Sequence, residues 1–254
     1  MSLSCVVVVA YHDDPFSNRV AEILQGHEVT VLQVVPSNLA RLNVLLKDDT
    51  FLVEHHPVKG IVFRVAPDRS FSGSFVQEDQ GFCDAEIRAV WLAALHLESI
   101  LAVNRYDATV WFENANWIIW RSRLIQAGIP VSPFYFGDFV QPGEWIWYPY
   151  KSYAPKTAPG RSTRRLLGTA LTQVAEQQPV LVIGGQPVGQ KINSTVEDAT
   201  QLLMQWGVQV AQIWMDGQGC ILKIDTLPNI FDPDVSKQAA VRIGELFYDH
   251  LHRR

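Results

Sequence analysis

The 254 residues, 48% of them apolar, are enough for one or two closely packed domains with a substantial core. Against 26 acidic residues stand 21 lysines and arginines, and the formal net charge of -5 argues against a general binder of nucleic acid or anionic membrane, since both select excess positive charge. The 3 cysteines, Cys5, Cys83 and Cys220, are far apart and show neither CxxC nor Cys/His spacing. Neither a disulfide framework nor a structural zinc site is expected, and a reducing, cytoplasmic setting is the simpler reading.

In chain order, Ser4 to Ala10 is a continuous β-branched run, far short of the roughly 20 residues that span a bilayer and with no basic stretch before it. It predicts a buried first strand. His12-Asp13-Asp14-Pro15 then opens an amphipathic helix over Asn18 to Gln25. Val29 to Val35 predicts a second strand, Pro36 to Lys47 a leucine-bearing connection, and Gly60 to Val65 a third strand after the His55-His56-Pro57 turn. That order suggests an open, mainly parallel sheet. Asp84 to Val103 has helical apolar periodicity, and a second helix over Asn116 to Ala127 stops at Gly128, where Ile129-Pro130 cannot continue it.

From Gly143 onward an aromatic strand, Glu144 to Lys151, leads into a stretch in which Lys151, Lys156, Arg161, Arg164 and Arg165 meet no acid. Leu166 to Val174 and the strand Val180 to Ile183 with Gly184-Gly185 follow, then a helix after Ser194-Thr195. A pair of strands turns at Asp216 to Gly219, and an amphipathic helix over Val235 to Leu251 closes the sequence with basic residues suited to a helix C-terminus.

Three places carry a resemblance to the ATP-grasp family, the fold of glutathione synthetase and D-alanine:D-alanine ligase. Gln126-Ala-Gly-Ile-Pro-Val131, followed by a strand ending in Lys151, is similar to the family's linker and lid strand. Gln173-Val174 before Val180-Leu-Val-Ile-Gly-Gly185 and Gly189-Gln-Lys191 looks like the hinge and the strand after it. Gly217 to Pro228 resembles the strand that holds magnesium. The resemblance implies an α/β chain in two parts: a pre-ATP-grasp-like open, mainly parallel sheet over residues 1–127, and a shortened α+β ATP-grasp-like domain over 128–254, with its lid about residues 143–178.

It also implies ATP and magnesium as cofactors and an ATP-dependent carboxylate–amine ligase acting on a small molecule or peptide. Lys151, Gln173, Val174 and Lys191 would bind nucleotide, and Arg161, Arg164 and Arg165 would act on the phosphates. Asp225 and Asn229, with Asp216 as an alternative to the nearby Gln212, would hold the metal. Arg64 and His12, at the ends of predicted strands where open α/β sheets take ligands, are the substrate candidates. Leu227 stands where the family has an asparagine, and Pro179 where it has a phosphate-clamping arginine. A second function is therefore a non-catalytic relative that binds or scaffolds, forming a homodimer through the aromatic helix faces.

Each motif also has a plainer use. The cation run serves equally as a solvated loop, Gly184-Gly185 as a strand turn, Asp225 as a turn cap, and His12-Asp13-Asp14 as an ordinary polar loop. Trp117 and Trp120, on one helix face beside Arg121, fit core packing or a partner interface.

Overall fold

The computed structural model describes residues 4–65, 77–105, 113–137, 145–150, 165–170, 179–188, 193–228, 230 and 232–252. Five consecutive β-branched or small apolar residues favour extended backbone, and strand β1 (Cys5–Val9) is buried on both faces, as a parallel strand covered by helices must be. Helix α1 (Pro15–Gly26) follows, its first turn capped by the Asp14 carboxylate, which accepts from the amides of Phe16 and Ser17. β2 (Thr30–Val34) returns parallel to β1.

The leucine-bearing stretch read as a connection is more structured than expected. After a 3-10 turn at Pro36–Arg41 it forms β3 (Val44–Lys47), which pairs antiparallel with β4 (Thr50–Val53), and β4 pairs antiparallel with the start of β5 (His56–Phe63). Both hairpin turns are built without glycine: Asp48, Asp49, Glu54 and His55 all take positive φ. Asp accepts that region more readily than most residues, so the turn signal is easily missed.

A second correction concerns the helix expected to run to Val103. Helix α2 (Gln77–Leu95) ends earlier, and Leu101–Val103 is strand β6, parallel to β5. The apolar spacing of those residues fits either structure, and pairing with buried β5 decides for strand. The sheet runs β2-β1-β5-β4-β3, with β6 beside β5. Its central strands are parallel, as expected, and the β3–β4 hairpin makes it mixed.

Helix α3 (Glu113–Gln126) stops two residues before Gly128, whose φ of 73° suits glycine after a helix. Strands β7 (Phe134–Gly137), β8 (Trp145–Tyr150) and β9 (Arg165–Ala170) form a small antiparallel sheet of order β7-β9-β8. A separate antiparallel sheet has the order β11-β10-β12-β13, from β10 (Val180–Ile183), β11 (Gln186–Val188), β12 (Val210–Met215) and β13 (Ile221–Asp225). Helix α4 (Ser194–Gln205), capped by Asn193, precedes β12, and helix α5 (Pro233–His252) packs on α1.

Two cores, one on either side of the sheets, are shared by the first sheet and the β10–β13 sheet. One joins Val7, Phe63 and Trp91 with Val182 and Ile213. The other joins Val6, Val8 and Phe16 with Ile183, Val210 and Phe247. Trp120 is fully buried in the first, so it serves packing and leaves no exposed ring for a dimer contact; the Trp117 side chain lies outside the described residues. No helix among the described residues is long and apolar enough to cross a membrane. The three cysteines are free thiols.

Candidate functional site

The C-terminal edge of the parallel strands meets the loop that leaves β13. Arg64 follows β5 directly, and its amide donates to the Val9 carbonyl at the end of β1, 2.8 Å away. Its side chain is 7% exposed and largely committed to the protein: Nε donates to Asp14 Oδ2 at 2.8 Å and Nη2 to the Pro228 carbonyl at 2.7 Å. Nη1 remains buried without a hydrogen-bond partner. Burial pushes the Asp14 carboxyl up, but the Arg64 guanidinium and the Ser17 hydrogen bonds outweigh it, and the net shift is downward. His12 is exposed beside this pair, its carbonyl accepting from Asn18 Nδ2.

The loop after β13 is held at a second point by a residue whose role the sequence reading missed. Asn104, directly after β6, takes φ 64° and is 1% exposed. Its Nδ2 donates to the carbonyls of Val210 (2.8 Å) and Thr226 (2.6 Å), while Oδ1 accepts from the amides of Gln209 and Val210, both at 2.8 Å. The side-chain amide thus occupies the N–H and C=O of Val210 as a neighbouring strand would. Thr226 and Pro228 are fastened to the first sheet by Asn104 and Arg64, and Asp225 immediately precedes them.

Asp225 ends β13 directly opposite Gln212 of β12. Opposed residues of an antiparallel pair share a face with their Cβ atoms roughly 5 Å apart, so an amide and a carboxylate stand side by side. Two residues along each strand, Trp214 opposes Lys223 on the same face. Asp225 Oδ1 accepts from the Leu227 amide at 2.9 Å, the turn-capping role. Oδ2 lies 3.8 Å from Lys223 Nζ, and the side chain is 30% exposed. Trp214 Nε1 is buried with no hydrogen-bond partner.

Asp216 has a different position. It is fully buried; Oδ2 accepts from Ser132 Oγ at 2.5 Å and Oδ1 from the amides of Gln218 and Cys220, each at 2.9 Å. Oδ1 closes the β12–β13 turn and Oδ2 ties that turn to Ser132, so both oxygens of this fully buried carboxylate are hydrogen-bonded within the protein. Ser132 in turn accepts through its carbonyl from Arg121 Nη1 at 2.7 Å, and Arg121 Nη2 donates to the Leu222 carbonyl at 3.2 Å. Burial pushes the Arg121 guanidinium down to about 10.

Gly184 and Gly185 form the β10–β11 turn at φ 56° and 78°, in line with their plainer reading. Arg165 begins β9 opposite Tyr150, the last residue of β8. Its side chain lies outside the described residues, as do Lys151, Arg161, Arg164, Gln173, Val174, Lys191 and Asn229.

No family model and no curated protein matches the chain. Solved structures match it over nearly its whole length. The ATP-grasp ligase PsnB, complexed with minimal precursor, Mg and ADP, aligns at a TM-score of 0.70 with 14% identity over 98% of both chains. The RiPP-associated ATP-grasp ligase of Chryseobacterium gregarium, in complex with ADP and a leader and core peptide, aligns at 0.66 with 10% identity over 97% of both. The macrocyclase MdnC of Microcystis aeruginosa MRC, bound with precursor peptide MdnA, aligns at 0.64 with 12% identity over 94% of this chain and 99% of that one. The chain has the ATP-grasp fold.

Proposed function

We propose that the protein is an ATP-dependent ligase that joins a carboxylate to an amine on a peptide substrate. The observation that carries this reading is the Gln212–Asp225 pair with Lys223 beside it, on one face of the β12–β13 ladder. Magnesium is characteristically held by one or two carboxylates while substrate phosphates and water fill the rest of its shell. Asp225 Oδ2 and the Gln212 amide oxygen are hard donors of that kind, and Lys223 adds a cation for the phosphate side. The residues fit the group, and Asp216, with both oxygens consumed, is left out of the proposed set. Asn229 would add a further oxygen.

ATP with magnesium, when bound, would supply the phosphoryl group that activates a carboxylate as an acylphosphate, leaving ADP, and an amine attacking the acyl carbon would then form the amide and release phosphate. The chain's own part is positional and electrostatic. Asn104 and Arg64 hold the loop behind Asp225. In this reading Lys151, Arg161, Arg164, Arg165 and Lys191 neutralise phosphate, and Gln173 and Val174 line the adenine. His12 faces substrate at the sheet edge, with Arg64 offering its remaining Nη1 donor. The division at residue 127/128 into substrate-side and nucleotide-side domains belongs to the same proposal. A peptide substrate is favoured because the folds compared above include ligases bound to precursor peptides.

One observation favours a second reading, a non-catalytic binding protein on this fold: Leu227 supplies only a backbone amide to Asp225, where an asparagine would supply an oxygen. Calorimetric titration with a non-hydrolysable ATP analogue, with and without magnesium, separates the two. Magnesium-dependent binding that Asp225→Ala weakens at least tenfold, with an unchanged melting curve, supports the ligase. No binding at millimolar nucleotide refutes it.

A further inference from the structure

The face that carries Gln212 and Asp225 also carries Lys223. Side chains alternate along β13, so Lys223 and Asp225 stand side by side, with Trp214 across the ladder from the lysine and Gln212 across from the aspartate. Lys223 Nζ lies 3.8 Å from Asp225 Oδ2, and the two side chains are 50% and 30% exposed. A pair that open adds little to stability. Its effect on a third charge is larger. An ion bonded to Asp225 Oδ2 at the roughly 2.1 Å of a magnesium–oxygen bond would sit within about 6 Å of the ammonium.

The side chains of this part of the ladder sum to no net charge: Asp225 is negative, Lys223 positive, and the Gln212 amide and Trp214 indole neutral. Asp216, at the end of the same hairpin, has both oxygens hydrogen-bonded inside the protein and adds no donor. Among the described residues no group of three His, Cys, Asp or Glu side chains is placed to hold a metal ion. A free divalent cation therefore meets a single carboxylate that already has a cation beside it. A polyphosphate changes the balance. Lys223 is half exposed on a flexible four-carbon stem, so its ammonium can turn from Asp225 to a phosphate oxygen and leave the carboxylate open.

We infer that Lys223 reserves Asp225 as a tethered counter-ion, barring free divalent cations from this face and releasing the carboxylate when a polyphosphate takes the ammonium. The inference rests on the ligand set proposed above, but its first test needs no nucleotide. Free Mn2+, followed by its electron paramagnetic resonance signal, should bind the nucleotide-free Lys223→Met chain at least about tenfold more tightly than the wild type. Lys223→Arg, which keeps the charge, should behave as the wild type. Asp225→Asn added to Lys223→Met should abolish the gain. With a non-hydrolysable ATP analogue present, the difference between wild type and Lys223→Met should narrow, because phosphate then occupies the wild-type ammonium.

Equal Mn2+ affinity of the nucleotide-free wild type and Lys223→Met would overturn the inference, as would a gain that survives Asp225→Asn. A difference that the bound analogue leaves unchanged would overturn the release. An analogue that binds neither chain would refute the ligase reading and the release with it, while the nucleotide-free titration still decides whether Lys223 bars the cation.

Discussion

The residue with most resting on it for its size is Asn104, and replacing it with alanine tests whether the β13 exit loop depends on the first sheet. The substitution removes four hydrogen bonds of 2.6–2.8 Å and leaves the backbone groups of Gln209, Val210 and Thr226 to find other partners in a site where Asn104 is 1% exposed. With about 0.5–1.5 kcal/mol net per neutral bond, and more where a buried group stays unpaired, the expected loss is about 3–5 kcal/mol. For a chain of this size that corresponds to a fall in melting temperature of about 6–20 °C. Alanine must also adopt φ 64°, so Asn104→Gly, which loses the same bonds in a tolerant backbone, should be about 1 kcal/mol less damaging. Urea unfolding followed by tryptophan fluorescence measures both. A loss below about 1 kcal/mol for Asn104→Ala would mean that water replaces the side chain freely and that the staple is not structural.

Arg64→Met should strand the half-buried Asp14 carboxylate and reverse the direction of its pKa shift. In the wild type the folded-state pKa is lowered, so the pair's contribution is present above the unfolded carboxylate value of about 4 and is lost as pH falls through the folded value. Without Arg64, burial is left to raise that pKa, so the stability deficit of Arg64→Met should be largest at neutral pH and shrink on acidification. A deficit constant from pH 7 to 3, read from melts at each pH, would refute the pairing argument. Gly60→Ala places a Cβ 2.5 Å from Phe247 Cε1, between β5 and α5, and should cost about 1–3 kcal/mol by overpacking, measured by thermal melting. Gly60→Ala combined with Phe247→Leu should recover part of that loss. Arg121→Met removes a fully buried cation that ties α3 to the Ser132 and Leu222 carbonyls, and the loss of two charge-assisted hydrogen bonds should lower stability by about 3–6 kcal/mol in urea titration.

How much of this was legible in the sequence depends on how local each determinant is. β1 and β10 announce themselves as apolar runs that have only one compatible burial, and α1 and α4 by periodic faces behind Asp14 and Asn193, carboxylate and amide caps within three residues of the amides they serve. The β3–β4 hairpin was hidden because its turns use Asp48-Asp49 and Glu54-His55 where glycine would have marked them. β6 was absorbed into α2 because three apolar residues fit either period, and only β5 settles the matter.

The site divides the same way. Asp225 and Gln212 are visible as a strand-end acid and a neighbour, but that they oppose each other is a property of the β12–β13 register. The resemblance makes Asp216 a metal candidate as an alternative to the nearby Gln212, and the bond that ties its Oδ2 inward comes from Ser132, 84 residues earlier in the chain. Asn104 gives no local signal, because its partners lie 105 to 122 residues away. Arg64 stands out in the sequence only by its place at a strand end, and its bonds to Asp14 and Pro228 make it a connection between the first sheet and the loop behind Asp225. Asn104 and Arg64 reach that loop from the ends of strands β6 and β5, so the loop behind Asp225 is bonded directly to the C-terminal edge of the parallel sheet. A nucleotide site and a substrate site on this fold would therefore be coupled through two side chains, each of which a single substitution can remove.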